Sequence, residues 1–556
     1  MAPSVSVYHG AAPIYVIWRV MMANRMPIMD CDEVYNYWEP LHFILYGSGQ
    51  QTWEYAHEYA LRTYAYVVPL QWLAPVLSRF VSPYAWLLSD YVVDTTLDTS
   101  KLSLFLSFRA FLAGTMALCE LAWLYALHSR LSKDSSLVVG WTGVLLLTAA
   151  GMNHAAGAYL PSSTFMMAWL AASAVFLLER HFLFAAIAII CTLSTGWPFG
   201  VVVLVPLGIR VLRKEYRARG VWRLLLWSVG VTAAVEAAVL MIDHKFYGVW
   251  LSPTWNIFKY NAAGGGDELY GIEPTSYYIK NLFLNLNLLA PMGIIGLPVL
   301  VFSRNQPAKA DLVTMIVTLY TWLAITVPRP HKEERFLFPI YPVLVLSSVL
   351  TVDHTLNFIG RIVAGFSRHK TLVRNQRIAL HCLVWLPVVA MSLCRVAALH
   401  KYYTAPLQVY AALVSRMDPL SNQLVCSCGE WYRFPSSFYL PKNHDLGFLP
   451  SSFGGQLPQA FSVHGSLPKS LNLLQPFNDQ NQQEMSRYAT LDQCNYIVDL
   501  EGSDCAPSGA EVVARAPFLD GGRSSMIHRM WYLPILHDAA IKSGSVQYEH
   551  YVLYKT

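Results

Sequence analysis

The sequence is poor in charge. Asp, Glu, Lys and Arg make up only 13% of its 556 residues, whereas a soluble domain carries about 25%. Hydrophobic residues make up 54%, and the mean hydropathy is +0.35. This deficit excludes a string of soluble domains and predicts a polytopic membrane protein. Its Lys and Arg residues fall between apolar segments rather than on one face, which argues against a nucleic-acid partner.

Several catalytic and binding patterns are also missing. There is no Ser–His–Asp pattern, no Cys/His metal spacing, no nucleotide-binding loop, no internal repeat and no cleavable signal peptide. An enzyme without these features would need a substrate that is already activated and carried by a lipid. Four of the nine cysteines (Cys426, Cys428, Cys494 and Cys505) lie in the polar tail, where three pairings are possible. We expect at least one disulfide if the tail faces an oxidising compartment.

Eleven apolar segments are predicted to cross the membrane, the first of which is short and contains Arg19. They are residues 11–23, 102–128, 137–152, 163–179, 182–194, 196–212, 224–242, 282–302, 311–328, 337–353 and 379–397. This predicts an all-α membrane domain over residues 1–397, in which 24–101 form an acidic loop with interfacial helices. Strand-like pieces at 496–500 and 546–554 predict a mixed α/β domain over 398–556.

Lys and Arg residues gather in four connections, and these set the orientation. The four sets are Arg130 with Lys133, the basic residues of 210–223, Arg304 with Lys309, and those of 361–377. With eleven spans all four sets fall on one side, which is therefore predicted to be cytoplasmic. The acidic loop, residues 243–281, residues 329–336 and the tail then share the opposite side.

The acidic loop is the most unusual stretch of the chain. Its carboxylates are Asp30, Asp32, Glu33, Glu39, Glu54 and Glu58, interleaved with Tyr35, Tyr37, Trp38, Trp53, Tyr55, Tyr59, Tyr64 and Tyr66. Carboxylates supply proton transfer, and flat aromatic faces suit sugar rings or the membrane–water boundary. Asp30 and Asp32 could supply a general base or hold a divalent metal. The alternative is an ordinary solvated loop.

A second charged turn, residues 328–336 (PRPHKEERF), lies on the same predicted side. Positive-inside bias should keep Lys332 and Arg335 out of this position, so an anionic phosphate is a natural partner. The alternative is a set of salt bridges with Glu333 and Glu334. Arg62 could be a further phosphate contact, or it could neutralise Glu58 at i,i+4 spacing.

These segments resemble the signature of the dolichol-phosphate-mannose-dependent α-1,2-mannosyltransferases that assemble lipid-linked oligosaccharides. The matching residues are 30–33 (DCDE), 36–40 (NYWEP), 51–55 (QTWEY), 62–66 (RTYAY), 269–274 (LYGIEP), 331–336 (HKEERF) and 430–437 (EWYRFPSS). The last segment is similar to the branch that extends N-glycan precursors. Two features depart from the family pattern: the region before Asp30 is short for a first span, and Thr63 stands where Ser is expected.

The resemblance implies a GT-C architecture in the endoplasmic reticulum membrane, with a lumenal active site. It implies dolichyl phosphate mannose as donor and oligosaccharide-diphosphodolichol as acceptor, mannosylated in α-1,2 linkage with inversion at the seventh and ninth additions. No cofactor is implied, although a divalent metal is possible. Membrane lipids are the other expected partners.

The same resemblance, with the charge pattern, assigns roles. Asp32 is the expected base, with Glu33 or Asp30 orienting the acceptor or sharing that role. The donor phosphate is expected on His331, Lys332, Arg335 and Arg62. The expected substrate-binding residues are Tyr37, Trp38, Glu39, Trp53, Glu54, Tyr270, Glu273, Trp431 and Arg433.

Two other functions fit parts of the pattern. A mannosyltransferase of glycosylphosphatidylinositol-anchor assembly shares the residues 331–336, but it is not expected to carry 431–437. A transporter or scaffold would place charged residues at the membrane midplane and show repeat symmetry. Arg109, Glu120 and Glu236 fall in or near predicted spans, and no repeat is evident.

Overall fold

The computed structural model describes residues 5–81, 100–131, 136–263, 267–303, 308–364, 370–416, 422–461, 476–505 and 509–556. Helices dominate the chain up to residue 416. They are Val5–Arg25, Glu39–Tyr46, Val68–Val81, Ser100–Arg130, Ser136–Thr148, Ala150–Ala156, Pro161–Leu177, His181–Ser194, Val205–Arg217, Val221–Tyr247, Pro253–Ala263, Thr275–Leu286, Leu289–Ile294, Gly296–Phe302, Lys309–Thr326, Tyr341–Ala364, Lys370–Tyr403 and Ala405–Arg416. Left-handed Gly47 and Gly248 end two of them, because glycine adopts positive φ without steric cost.

The chain is a multi-pass helical membrane protein. Five stretches of the described residues are long and apolar enough to cross a bilayer: Lys101–Arg130, Val221–Tyr247, Lys309–Thr326, Glu334–Gly360 and Gln376–Tyr403. A sixth arises if Ser136–Thr148 and Ala150–Ala156, bent by 66°, count as one span. Every predicted span overlaps a helix, but the count of eleven is not confirmed and stays a prediction, as does the GT-C assignment.

The first helix runs from Val5 to Arg25 and is therefore longer than the predicted segment 11–23. Arg19 is fully buried, and its guanidinium contacts the Glu120 carboxylate at 2.7 Å and the Asn153 side chain at 2.9 Å. A buried charge needs such partners in an apolar environment. Arg19 and Glu120 are therefore paired with each other, whereas Arg109, another charge in a predicted span, is buried and donates to the Met26 carbonyl at 3.1 Å.

Three of the four basic connections meet at one end of the helices. Asp311 is buried there, 3.2 Å from Arg210, 3.5 Å from Lys214 and 3.6 Å from Arg130. Arg130 also contacts Glu179 at 2.8 Å. This arrangement agrees with the predicted orientation, although Lys133 and Arg304 lie outside the described residues.

The tail contains a five-stranded mixed sheet. Its strands are β2 (Gln423–Ser427), β3 (His444–Phe448), β5 (Tyr496–Leu500), β6 (Glu511–Leu519) and β7 (Tyr548–Lys555), in the order β3-β2-β5-β7-β6. The pairs β2–β3 and β2–β5 are parallel, and the other two are antiparallel. Both strand predictions, 496–500 and 546–554, are confirmed within two residues.

Two disulfides fasten this sheet, and they confirm the expectation of at least one. Cys426 pairs with Cys494, and Cys428 pairs with Cys505. Both bonds start from β2 or the residue next to it and tie that strand to distant parts of the tail.

The tail and the acidic loop pair through a short sheet and pack in a shared core. The short strands β1 (Gln50–Gln51) and β4 (Gln459–Ala460) pair antiparallel across them. Phe438 of the tail packs in the same core as Trp38 and Phe105. The predicted boundary at residue 397 lies inside the helix Lys370–Tyr403, so the division into two domains stays a prediction.

Candidate active site

A cavity of about 660 Å³ lies where the four segments predicted to share one face come together. Its lining includes Asp32, Tyr37, Trp53, Glu54 and Arg62 of the acidic loop, Tyr260 and Tyr270 of residues 243–281, Arg329, His331, Glu333 and Arg335 of the charged turn, and Trp431, Phe453 and Gln456 of the tail. The volume is that of a small-molecule site. Segments separated by some 400 residues of sequence therefore build a single chamber.

Arg335 joins the charged turn to the acidic loop. Its guanidinium donates to Asp30 Oδ1 at 2.8 Å and to Asp32 Oδ2 at 2.5 Å, and it also contacts Glu333. One cation therefore holds three carboxylates. The Asp30 side chain accepts a hydrogen bond from the Asp32 backbone at 2.9 Å and thereby caps the short helix Cys31–Glu33.

The two aspartates of this cluster differ in their electrostatics. Burial raises the pKa of Asp30 despite Arg335, and Glu333 and Asp32 add to the rise. Burial also acts against the charged form of Asp32, but Arg335 and Arg62 together outweigh it and lower the pKa of Asp32. Asp32 is therefore the member of the pair that stays ionised.

His331 lies at the edge of the same cluster. Its Nε2 is 3.2 Å from Glu333 Oε1, and its Nδ1 is 3.0 Å from the Gly271 carbonyl. The hydrogen bond with Glu333 raises the pKa of His331. The imidazolium form is thus favoured beside the cavity.

Arg62 supplies a second cation on the cavity wall. It donates to Glu54 at 2.7 Å and to the Tyr37 hydroxyl at 2.9 Å. Asn36 holds the other Glu54 oxygen at 2.6 Å. Arg62 does not pair with Glu58 at i,i+4 spacing, because residues 57–62 form a turn with a left-handed Ala60 rather than a helix.

Aromatic rings form another part of the cavity wall. Trp53 lies parallel to Tyr270, with centroids 6.4 Å apart and an interplanar angle of 4°, and Tyr260 lies 5.6 Å from Trp53. Another part of the wall is apolar, where Trp197 stacks on Phe336 at 6.2 Å. A ligand with both a sugar and an apolar portion would meet suitable surfaces.

Three predicted site residues of the acidic loop turn into the core, away from the described lining. Trp38 is fully buried and donates to Glu33 at 2.9 Å, and the Tyr159 backbone donates to the same Glu33 oxygen at 3.0 Å. Glu39 accepts hydrogen bonds from the Ser436 and Ser437 hydroxyls and from the backbone of Ser437 and Gln50, at 2.7–2.9 Å. These contacts fix the loop and the tail, so they make these three side chains structural.

Four others are also absent from the lining among the described residues: Asp30, which contacts Arg335, and Glu273, Lys332 and Arg433. Lys332 donates to the backbone carbonyls of Glu273, at 2.8 Å, and Arg329, so it joins the two neighbouring loops. Arg433 pairs with Glu430 at 2.5 Å and lies over the Phe518 ring at 4.6 Å. Their direct contact with a ligand receives no support from this geometry.

Some residues that position the site are not evident in the sequence. Asp243 accepts from the Thr63 hydroxyl and the Tyr64 backbone, both at 2.7 Å. The Tyr247 hydroxyl donates to the Arg62 carbonyl at 2.7 Å. The end of the helix Val221–Tyr247 thereby holds the backbone that presents Arg62. The only sequence signal is an acid and a tyrosine at the end of a span.

Asp30, Cys31 and Asp32 offer ligand atoms within 4.8 Å of one another, which tests the possibility of a metal. Burial, followed by Asp32 and Asp30, raises the pKa of the Cys31 thiol well above its usual value, and a protonated thiol is a poor ligand. Arg335 already contacts both carboxylates. The donor set is therefore a weak match for a divalent ion, which prefers oxygen ligands.

Comparison with known proteins gives consistent matches. Residues 12–441 match the model of the Alg9-like mannosyltransferase family. The alpha-1,2-mannosyltransferase ALG9 of Mus musculus is 32% identical over 96% of this chain and 86% of its own length. ALG9 of Saccharomyces cerevisiae is 30% identical over 91% and 88%. Among solved structures, ArnT from Cupriavidus metallidurans bound to undecaprenyl phosphate matches with 13% identity and a TM-score of 0.49, over 80% of this chain and 85% of that one.

Proposed function

This chain belongs to the Alg9-like mannosyltransferase family, and from that premise we propose the reaction it performs. It is an α-1,2-mannosyltransferase of lipid-linked oligosaccharide assembly. It takes mannose from dolichyl phosphate mannose and adds it to an oligosaccharide-diphosphodolichol, at the seventh and ninth mannose positions. The proposal places the enzyme in the endoplasmic reticulum membrane as a GT-C protein with its cavity facing the lumen.

The observation that carries this proposal is the contact between Asp32 and Arg335 on one cavity wall. A transfer from a lipid phosphate needs a proton acceptor and a cation for the departing phosphate within the length of one sugar phosphate. Asp32 supplies a carboxylate that stays ionised, and Arg335 supplies a planar guanidinium suited to phosphate oxygens.

The reaction is a single displacement. An acceptor hydroxyl oxygen attacks C1 of the donor mannose while Asp32 accepts the hydroxyl proton. The bond from C1 to the phosphate oxygen breaks, and dolichyl phosphate leaves with that electron pair. Because the donor is β-linked and the product α-linked, the configuration at C1 inverts.

In this scheme, the Arg335 guanidinium contacts carboxylates before the donor binds and the donor phosphate afterwards. Before the donor binds, it neutralises Asp30 and Asp32. A donor phosphate competes for the same guanidinium, and its arrival leaves Asp32 with less cationic stabilisation and a stronger affinity for a proton. Arg62 and His331 add positive charge as the phosphate departs.

The aromatic rings of the cavity wall bind the donor mannose, and the tail binds the acceptor. Trp53 and Tyr270 offer parallel ring faces, on which a mannose ring can stack. Trp431 brings the tail to the cavity, and its carbonyl is fixed by the Tyr35 hydroxyl at 2.8 Å. Tyr37 and Glu54 hold Arg62 in place. Trp38, Glu39 and Glu33 act by fixing the loop.

We propose that no metal or other cofactor takes part in transfer. Arg335, Arg62 and His331 provide the positive charge that a metal would otherwise supply. Transfer by purified protein is therefore expected to continue at full rate after treatment with EDTA. A loss of activity that added Mn²⁺ or Mg²⁺ restores would contradict this part of the proposal.

The test of the function is a reconstituted assay with defined lipids. Purified full-length protein in liposomes receives radiolabelled dolichyl phosphate mannose together with one acceptor at a time. We expect label on oligosaccharide-diphosphodolichol acceptors that lack the seventh or ninth mannose, and its release by an α-1,2-mannosidase.

Two other outcomes of that assay would overturn the proposal. Label on a glycosylphosphatidylinositol precursor alone would identify an anchor-assembly enzyme. Uptake of a lipid or sugar across the liposome membrane without covalent transfer would identify a transporter. The relatives named above are mannosyltransferases, so neither alternative is favoured.

A further inference from the structure

One segment of the tail, residues 526–536, packs against the membrane helices as well as against the end of the sheet. The Tyr532 backbone donates to the Cys394 carbonyl at 3.0 Å, and Arg395 donates to the Arg529 carbonyl at 3.1 Å. Cys394 and Arg395 belong to the candidate span Gln376–Tyr403. Cys394 precedes the end of that helix by nine residues, which is about 13 Å of helix axis.

A second membrane helix contacts the same segment. The Trp531 ring meets the Phe283 ring edge-on at 6.2 Å, and Phe283 belongs to the helix Thr275–Leu286 at the start of a predicted span. The segment is therefore held at the side of the helix bundle, below the point where Lys370–Tyr403 ends. Cys394 and Arg395 lie within three residues of the end of the predicted span 379–397, so the segment meets the bundle near the end of that predicted crossing.

The outward side of the segment is apolar. Ile535 is 95% exposed, Met526 67%, Ile527 60% and Leu536 52%. A water-facing surface rarely displays so many large apolar side chains in eleven residues. Trp531, Tyr532 and Arg529 accompany them, and aromatic and basic residues are typical of the membrane interface.

We propose that residues 526–536 are an interfacial anchor that inserts Met526, Ile527, Ile535 and Leu536 into the lipid leaflet on the cavity side. The occupant of this surface is phospholipid, because the segment continues the lipid-facing surface of helices that already cross the bilayer. The anchor adjoins the end of β6, where Leu519 clusters with Tyr402 and Tyr532. It thereby fixes the sheet, and with it the tail wall of the cavity, at a set height above the membrane.

The test compares two exposed apolar positions of the tail. A small environment-sensitive fluorescent amino acid replaces Ile535 in one variant and Val512 in the other, in full-length protein in nanodiscs of phosphatidylcholine. Val512 is also exposed, but it lies at the opposite end of β6, about 24 Å from Leu519 along the strand. Lipids brominated on their acyl chains then replace part of the phosphatidylcholine.

Bromolipid is expected to quench the probe at position 535 and to leave the probe at 512 unchanged. Equal emission with and without bromolipid at 535 would overturn the proposal, and it would point to water or a protein partner at this surface. Quenching at both positions would also overturn it, because the whole sheet would then lie on the bilayer.

A second measurement leaves the chain unaltered, so it does not depend on either variant folding. Phospholipid with a photoactivatable diazirine in its acyl chain is mixed into the nanodiscs, and labelled peptides are mapped by mass spectrometry. Label is expected on residues 526–536 and not on 511–519. Absence of label from 526–536, with label present on Val221–Tyr247, would contradict the anchor.

Discussion

The two ends of the helix bundle carry charge clusters of opposite design. At the cavity, one cation, Arg335, contacts three acids: Asp30, Asp32 and Glu333. At the other end, one acid, Asp311, faces three cations: Arg130, Arg210 and Lys214.

The two clusters differ in whether their charged side chains can exchange one ion-pair partner for another. The cluster around Asp311 lies at the end predicted to be cytoplasmic, where positive charge is expected, and it ties three helix connections together. The cluster around Arg335 lies at the end predicted to be lumenal, where Lys and Arg are unexpected, and its cation lines a cavity in which it can change partners. The Arg335 guanidinium can form a new contact with an incoming phosphate. The Asp32 carboxylate is then free to accept a proton. We therefore expect chemistry at one end and stability at the other.

The largest effect is expected from Asp32→Asn. An amide cannot accept the hydroxyl proton, so transfer should fall by about 10²–10⁴-fold, while the melting temperature of the purified protein stays near that of the wild type. The matched control is Glu58→Gln, since Glu58 is an exposed acid of the same loop outside the described cavity lining. Transfer by Asp32→Asn within a few-fold of the control would exclude Asp32 as the base.

A somewhat smaller effect is expected from Arg335→Ala. Loss of the guanidinium removes the cation that receives the leaving phosphate, so kcat/KM for the donor should fall by about 10²–10³-fold. Arg335→Lys should recover only part of the loss, because an ammonium cannot make the paired contacts. Lys280→Ala removes an exposed cation of the same face and should change nothing. An unchanged response of Arg335→Ala to donor concentration would contradict the phosphate role.

At the other end of the bundle, Asp311→Asn should affect stability rather than chemistry. The substitution removes the carboxylate that the three cations share, while Glu179 still contacts Arg130 and Lys214. We expect a cost of about 1–2 kcal/mol, because those cations are partly exposed. A thermal melt of the protein in nanodiscs should show the loss, while kcat at a permissive temperature stays unchanged. A fall in kcat without a lower melting temperature would contradict a purely structural role for the Asp311 cluster.

The smallest effect concerns pH. Glu333 raises the pKa of His331, so its positive charge is fully present at low pH and is lost as pH rises through that raised pKa. KM for the donor should therefore increase by about a few-fold on the alkaline side. His331→Gln should remove this dependence and leave KM uniformly higher. The same alkaline rise in the variant would assign the titration to another group.

Sequence reasoning locates the cavity cluster because its residues violate expectation. Acids beside an apolar helix and cations on the wrong side of a membrane both need partners, and Asp32 and Arg335 are each other's partner here. Tyr270 comes from a motif of the family resemblance and Trp53 from the aromatic residues of the acidic loop, and the structure places the two rings parallel to each other. Long-range contacts between segments predicted to share a face are thus accessible to charge and topology arguments.

The sequence does not predict which side chains of the acidic loop are buried in the core and which line the cavity. Trp38 and Glu39 lie within the motif-bearing loop next to Tyr37, yet the wide π-helical turn Val34–Trp38 and the tail residues Ser436 and Ser437 hold them in the core. Arg62 pairs with Glu54 and not with Glu58 at helical spacing, because the residues between Glu58 and Arg62 form a turn with a left-handed Ala60. The direction of a side chain depends on such local geometry and on packing partners hundreds of residues away.

The most direct test of the account is an experimental structure of the protein with dolichyl phosphate bound. We predict a phosphate oxygen at hydrogen-bond distance, about 2.7–2.9 Å, from the Arg335 guanidinium, with the Asp32 carboxylate released from that contact and facing the cavity. A phosphate bound elsewhere, with Arg335 still holding both Asp30 and Asp32, would contradict it.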